Sequence, residues 1–145
     1  MFLTAASKII TCNNVAKNDI KTLYDVISDN IITMPLAYPN WLEKAKGDGR
    51  ILDKNDFTKN SYVLYPAQFW THKNHIRLIL ASQIMKEQNI NLKIVFTGLD
   101  RGNKDYLQKE VERLDLEDSV IFLNYVNQNE LATLYKNAYA LVYPS

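Results

Sequence analysis

The sequence is poor in several residue types and patterns, and each shortage excludes a class of protein. It has one cysteine, Cys12, in 145 residues, which excludes a disulfide framework and favours a reducing compartment, the cytoplasm. Its net charge is only +1, so no broad field attracts nucleic acid, and we expect no nucleic-acid partner. No run approaches the roughly 20 apolar residues that span a bilayer, and the opening MFLTAASKII is too short and mixed for a secretory signal.

Familiar catalytic and phosphate-binding patterns are missing as well. The chain contains 4 glycines, and neither G-x-G-x-x-G nor a Walker pattern occurs among them. The two histidines, His72 and His75, lack a third ligand at a useful spacing, so we expect no metal site. We expect His75 to pack or cap at a helix start and His72 to be an exposed loop residue.

Short apolar runs alternate with amphipathic stretches from residue 62 onward. The runs are rich in Val, Ile, Phe and Tyr without polar alternation, which predicts strands buried on both faces of a parallel sheet. Strands are predicted at 62–66, 92–98, 120–126 and 140–145, and helices at 74–88, 103–115 and 127–138. The fold class is therefore α/β, a Rossmann-like open parallel sheet with helices on both faces.

The first 61 residues are organised differently. Residues 1–40 carry two predicted strands and, between them, an apolar helical face at 14–28. Residues 41–61 combine glycines with many charges and are predicted to be a linker or surface excursion. The predicted helices leave part of one sheet face bare, so we expect the 14–28 helix to cover it or two fragments to self-associate through it.

Lys73 lies where the strand at 62–66 passes into the helix at 74–88. Ligands of open parallel sheets bind beyond the carboxyl ends of the strands, and a helix N-terminus favours an anion. An ammonium group there would add a full positive charge, which suits a phosphate ligand. The sequence leaves open the alternative of a solvated loop lysine. Gly98, at the end of the next strand, permits a tight turn and a close backbone approach.

Several linked motifs resemble one enzyme family. YPAQFWTHKNHIRLILA, LKIVFTG and VERLDLEDSVIFLNYVNQNELATLYKNAYALVYPS keep their order and spacing. Together they closely resemble the nucleotide-sugar-binding half of the retaining GT-B glycosyltransferases of group 1, family 4-like. The resemblance covers 62–145, which it identifies as a partial nucleotide-sugar-binding domain, part of the truncated C-terminal half of a GT-B fold. Residues 1–40 are more loosely similar to the end of the acceptor domain and the inter-domain crossing.

The resemblance implies a reaction and its partners. The whole enzyme would transfer a sugar from a UDP- or GDP-sugar to a glycan or lipid-linked acceptor with retention, in glycan, lipopolysaccharide or glycolipid synthesis. It would need no metal or other cofactor, because positive groups stabilise the leaving diphosphate. The resemblance also allows peripheral membrane association of the full enzyme.

The resemblance also assigns site residues. Lys73 stands where such enzymes carry a basic catalytic residue beside the diphosphate. Gln68 stands where an arginine is common, so it would contact phosphate without charge assistance. Gly98 matches the family's glycine after the second strand. Tyr125 and Val126 fall where backbone groups approach the nucleobase.

Two departures from the family pattern affect these expectations. Asn124 stands where a glycine is usual, and asparagine tolerates similar backbone angles. The glutamate pair E-x7-E, which contacts the donor sugar in the family, would follow Ser145. We therefore expect the isolated 145-residue chain to be an inactive fragment. The alternatives are a non-catalytic nucleotide-sugar-binding module or subunit that needs a partner chain, and a half-domain without a function of its own.

Overall fold

The computed structural model describes residues 5–24, 26–37 and 40–144. The chain divides into two compact units, an N-terminal unit of residues 1–40 and a C-terminal unit of residues 41–145. No helix in the described part of the chain combines the length and the apolar character that crossing a membrane requires.

The N-terminal unit is a small β-α-β arrangement. Strand β1 (Ile9–Thr11) is followed by helix α1 (Asn14–Tyr24) and strand β2 (Ile31–Thr33). The strands pair in parallel with Ile9 opposite Ile31. Both isoleucines and Val26 are buried, and Ile20 of α1 packs against them. Part of the apolar stripe predicted at 14–28 is therefore used inside this unit.

The C-terminal unit contains the predicted parallel sheet. Its elements are α2 (Trp41–Lys44), α3 (Arg50–Lys54), β3 (Tyr62–Pro66), α4 (His75–Glu87), β4 (Lys93–Thr97), α5 (Lys104–Arg113), β5 (Val120–Leu123), α6 (Gln128–Asn137) and β6 (Ala140–Leu141). The strand order is β5-β4-β3-β6, and every pair is parallel. The predicted fold class is confirmed, with β6 shorter than the run at 140–145 suggested.

The apolar strands are buried on both faces, as their composition predicts. On one face, Val63 and Tyr65 of β3 join a core that includes residues of α4 and α5. On the other, Tyr62 and Leu64 join a core that includes residues of α3 and α6. The Tyr62 hydroxyl donates a 2.8 Å hydrogen bond to the Leu134 carbonyl of α6. This burial raises the pKa of Tyr62 to about 12.

The prediction of a linker or surface excursion at 41–61 is corrected by the structure. Ile51 and Phe57 are buried in the core on the α6 face of the sheet. The ring of Phe57 lies 4.9 Å from that of Tyr62. Ile51 and Phe57 therefore cover part of this face from within the C-terminal unit. The expectation of a bare face did not include them.

Candidate functional site

A pocket lies at the carboxyl ends of three neighbouring strands. It has a volume of about 210 Å³ and is lined mainly by residues at and just beyond the ends of β3, β4 and β5. The strand ends meet because β3, β4 and β5 are parallel and in register. In open parallel sheets this edge is where ligands bind.

The structure brings together four of the five predicted site residues. Gln68, Gly98, Tyr125 and Val126 all line this pocket. Lys73 is not among its lining residues. It ends the short 3-10 turn Thr71–Lys73 that leads from β3 into α4.

Gly98 allows two loops of the pocket to approach each other closely. A Cβ atom at this position would clash with the Ala67 carbonyl oxygen, and it would lie 2.7 Å from the Ala67 carbonyl carbon and 2.9 Å from the Gln68 nitrogen. The Phe69 amide donates a 3.0 Å hydrogen bond to the Leu99 carbonyl, which joins the same two loops. The predicted close backbone approach is thus present, with backbone of the β3–α4 loop as the neighbour.

The main chain around Lys73 is held at two points. The Tyr65 hydroxyl donates a 2.8 Å hydrogen bond to the Lys73 carbonyl. Asn74 adopts left-handed angles, with φ of 55°, and its side-chain amide donates to the Pro144 carbonyl at 3.2 Å. Lys73 is half-buried, and α4 begins two residues later at His75. The ammonium group is therefore attached to a fixed backbone immediately before a helix N-terminus.

His75 is a packing residue, as predicted. Its side chain is completely buried and contacts the rings of Tyr65, Phe69 and Phe96 at centroid distances of 4.7, 4.9 and 5.1 Å. Desolvation lowers the pKa of His75 from 6.5 to about 4, and the nearby Lys73 charge acts in the same direction. The Ala67 carbonyl partly offsets this shift, although neither ring nitrogen makes a hydrogen bond of normal geometry. His72, also as predicted, is exposed.

Gln68 contacts a cation that sequence reasoning missed. Its side-chain oxygen accepts hydrogen bonds from the Trp70 indole nitrogen at 2.9 Å and from Arg101 Nε at 3.2 Å. Trp70 is 42% exposed, so it does not wedge the loop into the core as the buried Phe69 does. Arg101 lies 33 residues away from Gln68 in the sequence. In the sequence, the only indication that Arg101 lies near Gln68 was its position three residues after Gly98, in a loop at the same edge of the sheet.

Asn124 is fixed by its side chain rather than by glycine-like backbone angles. It is absent from the non-glycine residues with positive φ, which corrects the expectation that its backbone replaces a glycine. Its side-chain oxygen accepts a 2.8 Å hydrogen bond from Lys104 Nζ. The Thr97 hydroxyl donates to its carbonyl at 3.0 Å. The ends of β4 and β5 are thereby joined beside Tyr125 and Val126.

A capping box fixes the start of the helix that follows these residues. The Asn127 side chain accepts from the amides of Asn129 and Glu130 at 2.9 and 3.0 Å. The Glu130 carboxylate accepts from the Asn127 amide at 2.8 Å. Asn127 followed three residues later by Glu130 is the sequence pattern typical of such a cap. In the described part of the chain, no group of three or more His, Cys, Asp and Glu side chains is arranged to hold a metal ion.

Comparison with known proteins identifies the family. The family model for "Glycosyl transferases group 1" matches residues 50–145. The chain is 33% identical over its whole length to the O-antigen chain mannosyltransferase RfbU of Salmonella typhimurium. It is 27% identical over 99% of its length to the O-antigen chain mannosyltransferase B of Escherichia coli. It spans 37% and 38% of those two proteins.

Solved structures support the same fold. A glycosyltransferase from Rickettsia africae matches 99% of this chain with a TM-score of 0.77 at 15% identity, over 39% of its own length. The Anabaena protein Alr3699/HepE, solved in complex with UDP, matches 97% with a TM-score of 0.77 at 15% identity, over 38% of its length. The C-terminal unit thus has the Rossmann-like architecture of part of a GT-B fold. With the family model matching residues 50–145, the chain belongs to the group 1 glycosyltransferases.

Proposed function

We propose that the pocket at the ends of β3, β4 and β5 binds a nucleoside diphosphate sugar. The observation that carries this proposal is the convergence of Gln68, Gly98, Tyr125 and Val126 on one pocket, with Lys73 held beside the N-terminus of α4. The nucleoside would lie against Tyr125 and Val126. The diphosphate would lie toward the β3–α4 loop, where a helix dipole and a lysine favour an anion.

In this proposal Lys73 stabilises the leaving group. During transfer, the bond between the sugar's anomeric carbon and the β-phosphate oxygen breaks. A bond to an acceptor hydroxyl oxygen forms, and the hydroxyl proton is released. Negative charge develops on the diphosphate, so a positive group fixed beside it lowers the barrier. The hydrogen bond from Tyr65 to the Lys73 carbonyl and the one from the Asn74 side chain to the Pro144 carbonyl would keep Lys73 in place before charge develops. We assign no metal to this step.

The finer assignment rests on the relatives. Two of them bear the name O-antigen chain mannosyltransferase, and a structural neighbour was solved with UDP-glucose. We propose that the whole enzyme transfers a hexose, with mannose favoured, from a UDP- or GDP-sugar to a glycan or lipid-linked acceptor. We further propose that it retains the anomeric configuration and acts in the cytoplasm, in agreement with a single cysteine and no disulfide partner for it.

Calorimetric titration of the 145-residue chain with UDP and with GDP tests the binding proposal. We expect one of the two to bind, and Lys73→Ala to weaken its binding several-fold, because a partly exposed ammonium–phosphate contact is worth about 1–2 kcal/mol. Lys59→Ala is the matched control. Lys59 is exposed and lies near the start of β3, at the opposite edge of the sheet.

The outcomes separate the proposal from general electrostatics. Equal losses for Lys73→Ala and Lys59→Ala would mean that overall charge, and not a site, attracts the nucleotide. Failure of both nucleotides to bind the unmodified chain would contradict the proposed function itself.

A further inference from the structure

We propose that Arg101 is a second phosphate-binding cation of this pocket, held by Gln68 and directed at the diphosphate of the nucleotide. The proposal rests on the function proposed above and adds a residue to the same site. Arg101 belongs to the β4–α5 loop, whereas Lys73 belongs to the β3–α4 loop. The diphosphate would then be bound from two neighbouring strand ends.

The contacts of Arg101 place its charge at the rim of the pocket. Its Nε atom donates to the Gln68 side-chain oxygen at 3.2 Å, and Gln68 itself lines the pocket. Its guanidinium carbon lies 5.8 Å from the centroid of the Trp70 ring, within the range of a cation–π interaction. Trp70 is in turn fixed by its 2.9 Å hydrogen bond to Gln68. Three side chains from two loops therefore hold one another in a single arrangement.

The hydrogen-bonding capacity of Arg101 remains largely unused within this arrangement. A guanidinium carries five N–H donors, and in the described part of the chain only Nε–H has an acceptor, the Gln68 oxygen. The ion pairs of the described residues do not include Arg101. A guanidinium with open donors on both terminal nitrogens matches the bidentate geometry of a phosphate.

The neighbouring carboxylate does not neutralise this charge. Asp100 directs its side chain at the start of α5, where Oδ1 accepts from the amides of Gly102 and Lys104 at 2.9 and 3.2 Å. These backbone contacts hold the pKa of Asp100 below its usual value despite an opposing desolvation effect, which is the largest single contribution. Asp100 thus shapes the loop that carries Arg101 and remains charged on the helix side of it.

Gln68 has a defined part in this proposal. Its oxygen accepts from two donors, which leaves its NH₂ group as the part of the amide available to a phosphate oxygen. A neutral amide at this position would contact the ligand and also position a cation from the next loop. The charge that Gln68 itself lacks is then supplied by Arg101. Lys104, the other cation of this loop region, is already bonded to Asn124.

A series of ligands tests whether Arg101 acts on phosphate. The unmodified chain and Arg101→Gln are titrated with whichever nucleoside diphosphate binds and with the corresponding monophosphate. We expect Arg101→Gln to weaken diphosphate binding by about fivefold and monophosphate binding by less, as befits an exposed charge contact. Arg113→Gln, which removes the same charge from the far end of α5, should leave both affinities unchanged.

The outcomes distinguish this inference from the function on which it rests. If the unmodified chain binds a nucleoside diphosphate and Lys73→Ala weakens it, the proposed function stands. If Arg101→Gln then bound the diphosphate as tightly as the unmodified chain does, only the inference about Arg101 would be overturned. If Arg101→Gln weakened diphosphate and monophosphate binding by the same factor, the inference would also be overturned, because Arg101 would not act on the second phosphate. Absence of any nucleotide binding would overturn both.

Discussion

Replacing Gly98 with alanine should destabilise the C-terminal unit through one identifiable contact. The added Cβ would lie 2.7 Å from the Ala67 carbonyl carbon and 2.9 Å from the Gln68 nitrogen. Both neighbours are backbone atoms, so no side chain can rotate away, and the two loops must separate. Overpacking of this kind costs about 1–3 kcal/mol. The φ angle of 158° is one that L side chains rarely adopt, so local backbone strain adds to the cost of this contact.

Two other glycines provide controls for this variant. Gly49 has φ of −66° and nothing within 4 Å of an added Cβ, so Gly49→Ala should change stability by less than about 1 kcal/mol. Gly102 also faces open space but has φ of 86°, so Gly102→Ala should lose about 1 kcal/mol from backbone strain alone. Gly49→Ala therefore measures the general effect of adding a methyl group and Gly102→Ala measures backbone strain, so the further loss in Gly98→Ala measures the contact with the Ala67 and Gln68 backbone.

Urea unfolding monitored by tryptophan fluorescence suits this comparison. Both tryptophans, Trp41 and Trp70, belong to the C-terminal unit, so the signal reports on the unit that contains Gly98. The claimed contact would be refuted if Gly98→Ala were as stable as Gly102→Ala, which carries strain without a close neighbour. Nucleotide affinity should fall in Gly98→Ala as well, because the separated loops form the wall of the pocket.

Three further predictions concern stability. Burial lowers the pKa of His75 from 6.5 to about 4. The contribution of the neutral ring to the free energy of unfolding is therefore complete above pH 6.5 and is lost as the pH falls toward 4. Between pH 7.5 and 5 the loss should reach about 2 kcal/mol, and His75→Leu, but not His72→Leu, should flatten that part of the stability profile. Asn127→Ala should cost about 1 kcal/mol by removing the cap of α6, and Asn127→Asp should restore it; unfolding curves showing no difference would dismiss the cap. Phe57→Ala should cost about 3–4 kcal/mol as a core truncation, whereas a loss below 1 kcal/mol would indicate that residues 41–61 are peripheral after all.

The sheet was predictable because its strands are buried on both faces. Uninterrupted apolar runs such as 62–66 are typical of parallel strands in a chain that also carries amphipathic helices. The position of the site followed from the same pattern, since parallel strands bring their carboxyl ends to one edge. Gln68, Gly98 and Tyr125 are distant in sequence, yet each lies at or just beyond the carboxyl end of a predicted strand, and the structure places all three in one pocket.

Features that depend on single long-range contacts were not predictable. The Ile51–Leu52 pair and Phe57 stand among charged residues, and they form no periodic pattern that would reveal a core contribution. The hydrogen bond between Arg101 and Gln68 spans 33 residues, and no local signal pairs these two side chains. Asn124 illustrates a different limit. Its identity suggested a backbone role, but the nearby Lys104 ammonium gives its side chain one instead.

The most direct test of the proposed nucleotide site is to locate the nucleotide on the chain. Amide chemical-shift changes in a ¹⁵N-labelled sample titrated with UDP or GDP would map the bound nucleotide. We expect the largest changes at Gly98, Tyr125 and Val126 and in the turn that ends at Lys73. Saturable changes confined to other surfaces, with these residues unaffected, would contradict the claim that the ends of β3, β4 and β5 form the nucleotide site.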